Sequence, residues 1–149
     1  MVRDLSWLPH HQVHVAATLA HADDLIGQVS DLVLAYSHDG ETFRLENVRS
    51  GDVVATVIAA VKPLPRAIAL YVADALTTLR AAIEHALYAE LEHANGGPLS
   101  SAQARSVEMP AQVTAEGFDR WVRDRQKRAP SGLQPGAPVL ARVRGLQPY

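Results

Sequence analysis

Residues Pro65–Ala94 hold thirty positions of helical periodicity with hard stops at both ends, and this stretch limits the fold more than any other. Ile68, Val72, Leu76, Leu79, Ile83 and Leu87 recur at intervals of three or four, the spacing of one helix face. Pro65 is placed to open the helix, and Asn95-Gly96-Gly97-Pro98 closes it. At about 1.5 Å per residue the helix is roughly 40 Å long, enough to be the spine of a domain.

A second helix is predicted over His11–Tyr36. Val15, Leu19, Ala22, Ile26, Val29 and Val33 step by alternating fours and threes, close to a coiled-coil seam, and Leu25 and Leu32 widen the stripe. Ser37-His38-Asp39-Gly40 stops it. Between the helices the period changes to two. Glu41–Ser50 and Asp52–Lys62 read as strands joined at Ser50-Gly51-Asp52, an antiparallel hairpin. Two strands alone are marginal, so the hairpin must pack on a helix or pair with another chain. It is long enough to cover one side of the helix pair.

Leu99–Val113 shows no period and reads as a loop. Thr114–Arg128 reads as a short basic helix with Phe118, Trp121 and Val122 as its apolar stripe, and a last short helix fits around Pro138–Arg144. Prolines and glycines between them break the chain repeatedly. The expected fold is therefore α+β and mostly helical, with two long packed helices, one hairpin between them and a short basic helix near the C-terminus. It is expected as a single domain over 1–149, with 1–9 and 129–149 extended or loosely ordered.

A chain of 149 residues is large enough to bury a real core, and its few aromatics make that core mainly aliphatic. The absence of cysteine excludes disulfides, Cys-based zinc sites and a Cys nucleophile, and fits a reducing, cytoplasmic setting. No apolar run approaches the roughly 20 residues that span a bilayer, so no membrane partner is expected. There is no Gly-x-Gly-x-x-Gly, Walker loop, His-Glu-x-x-His or Gly-x-Ser-x-Gly, which argues against nucleotide-dependent and zinc-protease chemistry. No cofactor is expected.

Net charge is −2, but it is split. Residues 1–119 carry seven Lys/Arg against fifteen Asp/Glu, and residues 120–149 carry seven Lys/Arg against Asp124 alone. Such a basic end either meets an anionic partner or docks on the chain's own acidic body.

Three groups of residues admit a chemical role. Arg80 and His85 lie on the polar side of the long helix, and Arg80 is also placed for an i,i+4 ion pair with Glu84. Histidine moves protons near neutral pH and arginine holds phosphate through its planar fork, so the two are the candidate catalytic pair for metal-free RNA cleavage. The favoured account of them is simpler: they are polar positions on the exposed face of an amphipathic helix, and Arg-x4-His alone is an unspecific pattern. The basic helix offers Arg120, Trp121, Arg123, Arg125, Lys127 and Arg128 as a candidate nucleic-acid surface, with the indole stacking on a base. The bland alternative anchors Trp121 and Phe118 in the core. His10, His14 and His21 share a helix face at metal-binding spacing, but with no obvious third ligand no metal site is assigned.

The stretch Tyr71-Val72-Ala73-Asp74-Ala75-Leu76-Thr77-Thr78-Leu79-Arg80-Ala81-Ala82-Ile83-Glu84-His85 resembles an uncharacterised bacterial family common in actinobacteria. The helix of that family reads like Gly-Asp-Ala-Leu-His-Asn-Leu-Arg-Ser-Ala-Leu-Asp-His-Leu. Gly145-Leu146-Gln147-Pro148-Tyr149 is similar to its mid-chain Leu-Gln-Pro-Tyr. Arg-x4-His also resembles the pattern of HEPN-type ribonucleases, where the pair acts across a dimer. Here Ala73 replaces the glycine, Thr77 and Thr78 replace His-Asn, and Glu84 replaces the aspartate. The family continues past Leu-Gln-Pro-Tyr into a helix with an Asp-Lys-His-Arg-like motif. If the family's activity needs both segments, the resemblance implies a natural fragment, an inactive relative or half of a complex.

Two functional expectations follow. The leading one is a small non-catalytic interaction module whose partner is a second copy (a homodimer) or another protein. The rival is a HEPN-like, metal-independent ribonuclease of a toxin or defence system, with RNA as the partner.

Overall fold

The computed structural model describes residues 6–149, and the chain is mostly helical. A single 3₁₀ turn at His10–Gln12 leads into α1 (Val13–His38). The hairpin follows as β1 (Phe43–Ser50) and β2 (Val53–Val61), and then α2 (Arg66–Asn95). Three short helices complete the order: α3 (Ser101–Ala104), α4 (Ala115–Arg125) and α5 (Pro138–Gly145), with a 3₁₀ turn at Ser131–Leu133 before the last. Both long helices and both strands lie within two residues of their expected limits. The loop expected over Leu99–Val113 contains α3, a single turn held by a capping box between Ser100 and Gln103.

Contacts gather into two compact units where one domain was expected. One comprises the N-terminus to Ala20 together with Thr78–Tyr149, and the other is His21–Thr77. Each long helix contributes one end to each unit.

The first unit holds the main core. Leu87 and Leu91 of α2, Leu99, Phe118 and Trp121 of α4, Leu133, and Val139, Leu140 and Val143 of α5 form one buried cluster. Segment 129–149, expected to be extended or loosely ordered, is instead part of this core, because α5 and the turn before it present four apolar side chains to Leu91 and Phe118. Of segment 1–9, expected in the same state, residues 1–5 lie outside the described residues. The α2 terminus is shaped by its glycines. Gly96 takes φ +74, and the N–H groups of Gly96 and Gly97 donate to the carbonyls of His93 and Glu92 at 3.1 Å each. That is a Schellman closure, which L side chains disfavour at the first glycine.

In the second unit Ala22 and Leu25 of α1 and Ile68 and Ala75 of α2 are buried. The stripes expected to form the core are only partly inside. Leu19, Ile26 and Val33 of α1 are 40–46% exposed, and Val72, Leu76 and Ile83 of α2 are 40–63% exposed. On α2 the expected face is buried at Ile68 and Leu87, while between them the buried positions are Ala75 and Ala82. Alanines allow close backbone approach, so along the middle of the helix small residues are buried and larger neighbours are left outside.

The hairpin is antiparallel, with Phe43 opposite Val61, Leu45 opposite Ile58, Asn47 opposite Thr56 and Ser50 opposite Val53. A bulge after Arg44 shifts the register. Gly51 has φ +64, and among the described residues no non-glycine residue has positive φ. The two-residue loop Gly51-Asp52 is therefore of type II′, which matches the strand twist. The root is stitched to the end of α1. Thr42 is fully buried; its hydroxyl donates to the Tyr36 carbonyl (2.6 Å), its N–H to the Asp39 carbonyl (2.9 Å), and its own carbonyl accepts from Lys62 N–H (2.9 Å). The Tyr36 hydroxyl donates to the Lys62 carbonyl (2.5 Å), and the Lys62 ammonium pairs with Asp39 (2.8 Å). That contact lowers the Asp39 carboxyl and raises the Lys62 ammonium from their ordinary pKa values, through the hydrogen bond between them first.

Candidate functional site

Every residue of both strands is exposed. The alternation that marks a half-buried sheet is present in sequence, yet neither face is covered within the described residues. The hairpin thus does not cover a side of the helices as expected. One face carries Phe43, Leu45, Ile58, Val61 and Val54, with Asn47, Thr56 and Arg49 toward the tip; the other carries Val48, Val53 and Val57 beside the Arg44–Glu46 ion pair. Their exposure runs from 40% at Val57 to 67% at Val53. These eight side chains are divided between opposite faces, five on the first and three on the second. In the same unit Ile26, Val33 and Leu34 of α1, Leu64, and Leu70, Val72 and Leu76 of α2 are also exposed.

Arg80 and His85 serve different partners. Arg80 donates to the Met109 carbonyl (2.6 Å) and pairs with Glu84 (2.5 Å), while Glu84 accepts the Met109 N–H (2.8 Å). The pair clamps both backbone polar groups of one residue, Met109, onto α2. His85 meets the Thr18 hydroxyl through Nδ1 (3.2 Å). Five residues of helix separate the two around the axis by about 140°. The structure gives each a contact that holds α2 to another segment, and it does not bring the pair to one point.

On α4, Trp121 is 7% exposed, with its ring 5.7 Å from Phe118 and the Arg125 guanidinium 5.0 Å above it. Its ring is turned into the core and is not open to a base, because Phe118 and Trp121 are the apolar stripe of an otherwise charged helix. Arg125 also pairs with Glu108 (2.5 Å), and Arg144 of α5 pairs with Asp119 and lies 4.8 Å from the Phe118 ring. Arg142 reaches Glu90 at 3.5 Å. Part of the basic end is therefore docked on acids of its own unit. Arg120, Arg123, Lys127 and Arg128 are exposed and make no side-chain ion pair among the described residues.

His10, His14 and His21 are each exposed, and among the described residues no three His, Asp or Glu side chains gather as a metal site. A different histidine cluster escaped sequence reasoning. Glu90 accepts from His11 (2.7 Å) and Gln12 (2.8 Å), and the His11 ring stacks on His93 with centroids 4.3 Å apart. Hydrogen bonding from His11, foremost, holds the Glu90 carboxyl below its ordinary pKa. Only the i,i+3 placement of Glu90 and His93 was visible in sequence; their partner lies 79 residues from Glu90.

No family model, curated protein or solved structure matches the chain. Among the described residues no helix is long and apolar enough to cross a membrane.

Proposed function

We propose that this chain is a non-catalytic self-association module that forms a homodimer through its hairpin and the adjoining exposed faces of His21–Thr77. One observation carries the reading: a two-stranded hairpin anchored firmly at its root and exposed on both faces, with eight large apolar residues open to water. Isolated hairpins are marginal, and an uncovered strand pair is a ready template for pairing. The need for cover is intrinsic to the chain and arises whenever it folds, which favours the one partner always present at matching concentration, a second copy. Both hairpin edges are free, so a two-fold pairing can add strands edge to edge while covering an apolar face. The resemblance to the actinobacterial family is kept as part of this proposal. The ribonuclease alternative draws no support from Arg80, whose guanidinium is engaged by Met109 and Glu84.

Light scattering on the eluting protein tests the reading. The expected mass is twice the 16.1 kDa of one chain. Leu45→Arg combined with Ile58→Glu places opposite charges on directly paired positions, which preserves the hairpin and removes its apolar centre. That variant is expected to elute as a monomer with unchanged circular dichroism. A wild-type monomer at high concentration would overturn the proposal.

A further inference from the structure

A cleft of about 550 Å³ opens between α3 and the end of α4, walled by Arg105, Ser106, Asp124, Arg125, Lys127 and Arg128. It lies wholly within the unit that carries the main core and is independent of the hairpin and its proposed role. Four of these six residues are cationic. Arg125 is engaged by Glu108 and by the Trp121 ring, so it forms a fixed wall. Arg105, Lys127 and Arg128 make no side-chain hydrogen bond or ion pair among the described residues. Asp124 offsets one charge and leaves the cleft near +2.

The backbones that carry these cations are pinned together. The Ser106 hydroxyl donates to the carbonyls of Gln103 (2.7 Å) and Arg128 (3.1 Å), tying the turn after α3 to the end of the basic segment. Arg128 and Ala129 N–H groups both return to the Arg125 carbonyl at 2.9 Å. The Gln134 amide donates to the carbonyls of Gln126 (2.9 Å) and Ala129 (3.0 Å). Three like charges, offset within the cleft by Asp124, are thus gathered on a fixed frame. Mutual repulsion makes that costly unless an anion enters, and the fixed backbone lowers the ordering cost when it does.

We infer that this cleft binds a short oligophosphate, either free or as the phosphate chain of a nucleotide. Its volume is that of a small-molecule site. The three unpaired cations match the clustered charge of linked phosphates, and Arg105 and Arg128 supply planar forks for their oxygens. No aromatic side chain lines the cleft, and Trp121 is buried behind Arg125, so the site recognises the phosphate chain and offers no platform for stacked bases. Asp124 accepts from a ligand hydroxyl or a hydrated cation carried with the phosphates.

Calorimetric titration of the full chain with inorganic tripolyphosphate, at fixed near-physiological salt, tests the assignment. Saturable one-to-one binding is expected. Arg105→Ala and Arg128→Ala are each expected to weaken it about tenfold, the worth of one charge-assisted hydrogen-bonded contact. Arg123→Ala, on α4 but outside the cleft, is expected to leave it unchanged. All three side chains are exposed, and circular dichroism on each variant is the check that it folds. Parallel titrations with ATP separate the sources: tighter binding of ATP than tripolyphosphate marks a nucleotide ligand, and equal or weaker binding marks the free oligophosphate. Three results would overturn the inference. One is no saturation by tripolyphosphate, and another is equal weakening by Arg123→Ala, which would indicate diffuse charge. The third is tighter binding of an unphosphorylated eight-nucleotide RNA lost in the same variants, which would assign the cleft to nucleic acid.

Discussion

At the scale of single residues, the core is set by contacts that tolerate little. Gly132 sits where an added Cβ would lie 2.7 Å from Leu91 Cδ2 and 3.5 Å from Ala94 Cβ. Leu91 is fully buried in the main cluster, so its methyl has nowhere open to move. Gly132→Ala is expected to destabilise the chain by about 1–3 kcal/mol, the usual cost of overpacking, as read by urea denaturation. A change under a few tenths would show that Leu91 repacks freely. Thr42→Val tests the hairpin root. It keeps the shape and removes the hydroxyl that donates to the Tyr36 carbonyl, with an expected loss of about 1–3 kcal/mol. Its readout is the strand region of the chain, through hydrogen exchange on β1 and β2, since the affected bond ties only that region to α1. Equal exchange in both proteins would assign the root to its backbone bonds and the Tyr36 and Lys62–Asp39 contacts, without the Thr42 hydroxyl.

At the scale of elements, α1 and α2 were legible because long periodic segments with strong stops leave little choice of structure. The hairpin was legible because Gly51 sits between two alternating runs. Which face each helix buries was legible only in part: Val15, Ala22 and Leu25 of α1 and Ile68 and Leu87 of α2 are buried as expected. Periodicity counts Leu, Val and Ile as core, whereas burial on α2 follows the small residues Ala75 and Ala82 and leaves Leu76 63% exposed. The C-terminal segment looked extended because its prolines and glycines interrupt every period, yet Leu133, Val139, Leu140 and Val143 all reach the core. The site residues divide the same way. Arg80 and Glu84 were recognisable as an ion pair, but their grip on Met109 depends on a loop 25 residues on. The His11–Glu90–His93 cluster joins the turn before α1 to α2 and carries a pH signature. Glu90 has its carboxyl pKa lowered in the folded chain, so the contact contributes fully above the unfolded value near 4.5 and is lost as pH falls through the lower folded value. Glu90→Gln is therefore expected to be less stable than wild type at neutral pH, with the gap closing below about pH 4.5. Thermal melts across that range measure it, and a constant gap would exclude Glu90 as the source.

At the scale of the whole molecule, the two units use their apolar residues differently. The unit built on α4 and α5 turns Phe118, Leu91 and Trp121 inward, and its surface carries unpaired cations. The His21–Thr77 unit turns alanines inward and leaves Leu45, Val53, Val54 and Ile58 at 59–67% exposure. If the chain self-associates as proposed, it gains stability by association, because a second copy binds the folded state and has no equivalent surface on the unfolded one. The stability of a dimer rises with protein concentration by about 1.4 kcal/mol for each tenfold increase. For a chain of this length that shifts the melting midpoint by about 2–4 °C per decade. Wild-type protein is expected to show this dependence in differential scanning calorimetry across two decades of concentration. The Leu45→Arg, Ile58→Glu double variant is expected to melt at one temperature throughout, below the wild type. Concentration-independent melting of the wild type would mean that the hairpin stands uncovered in solution, and that its root at Thr42, Asp39 and Lys62 alone holds it in place.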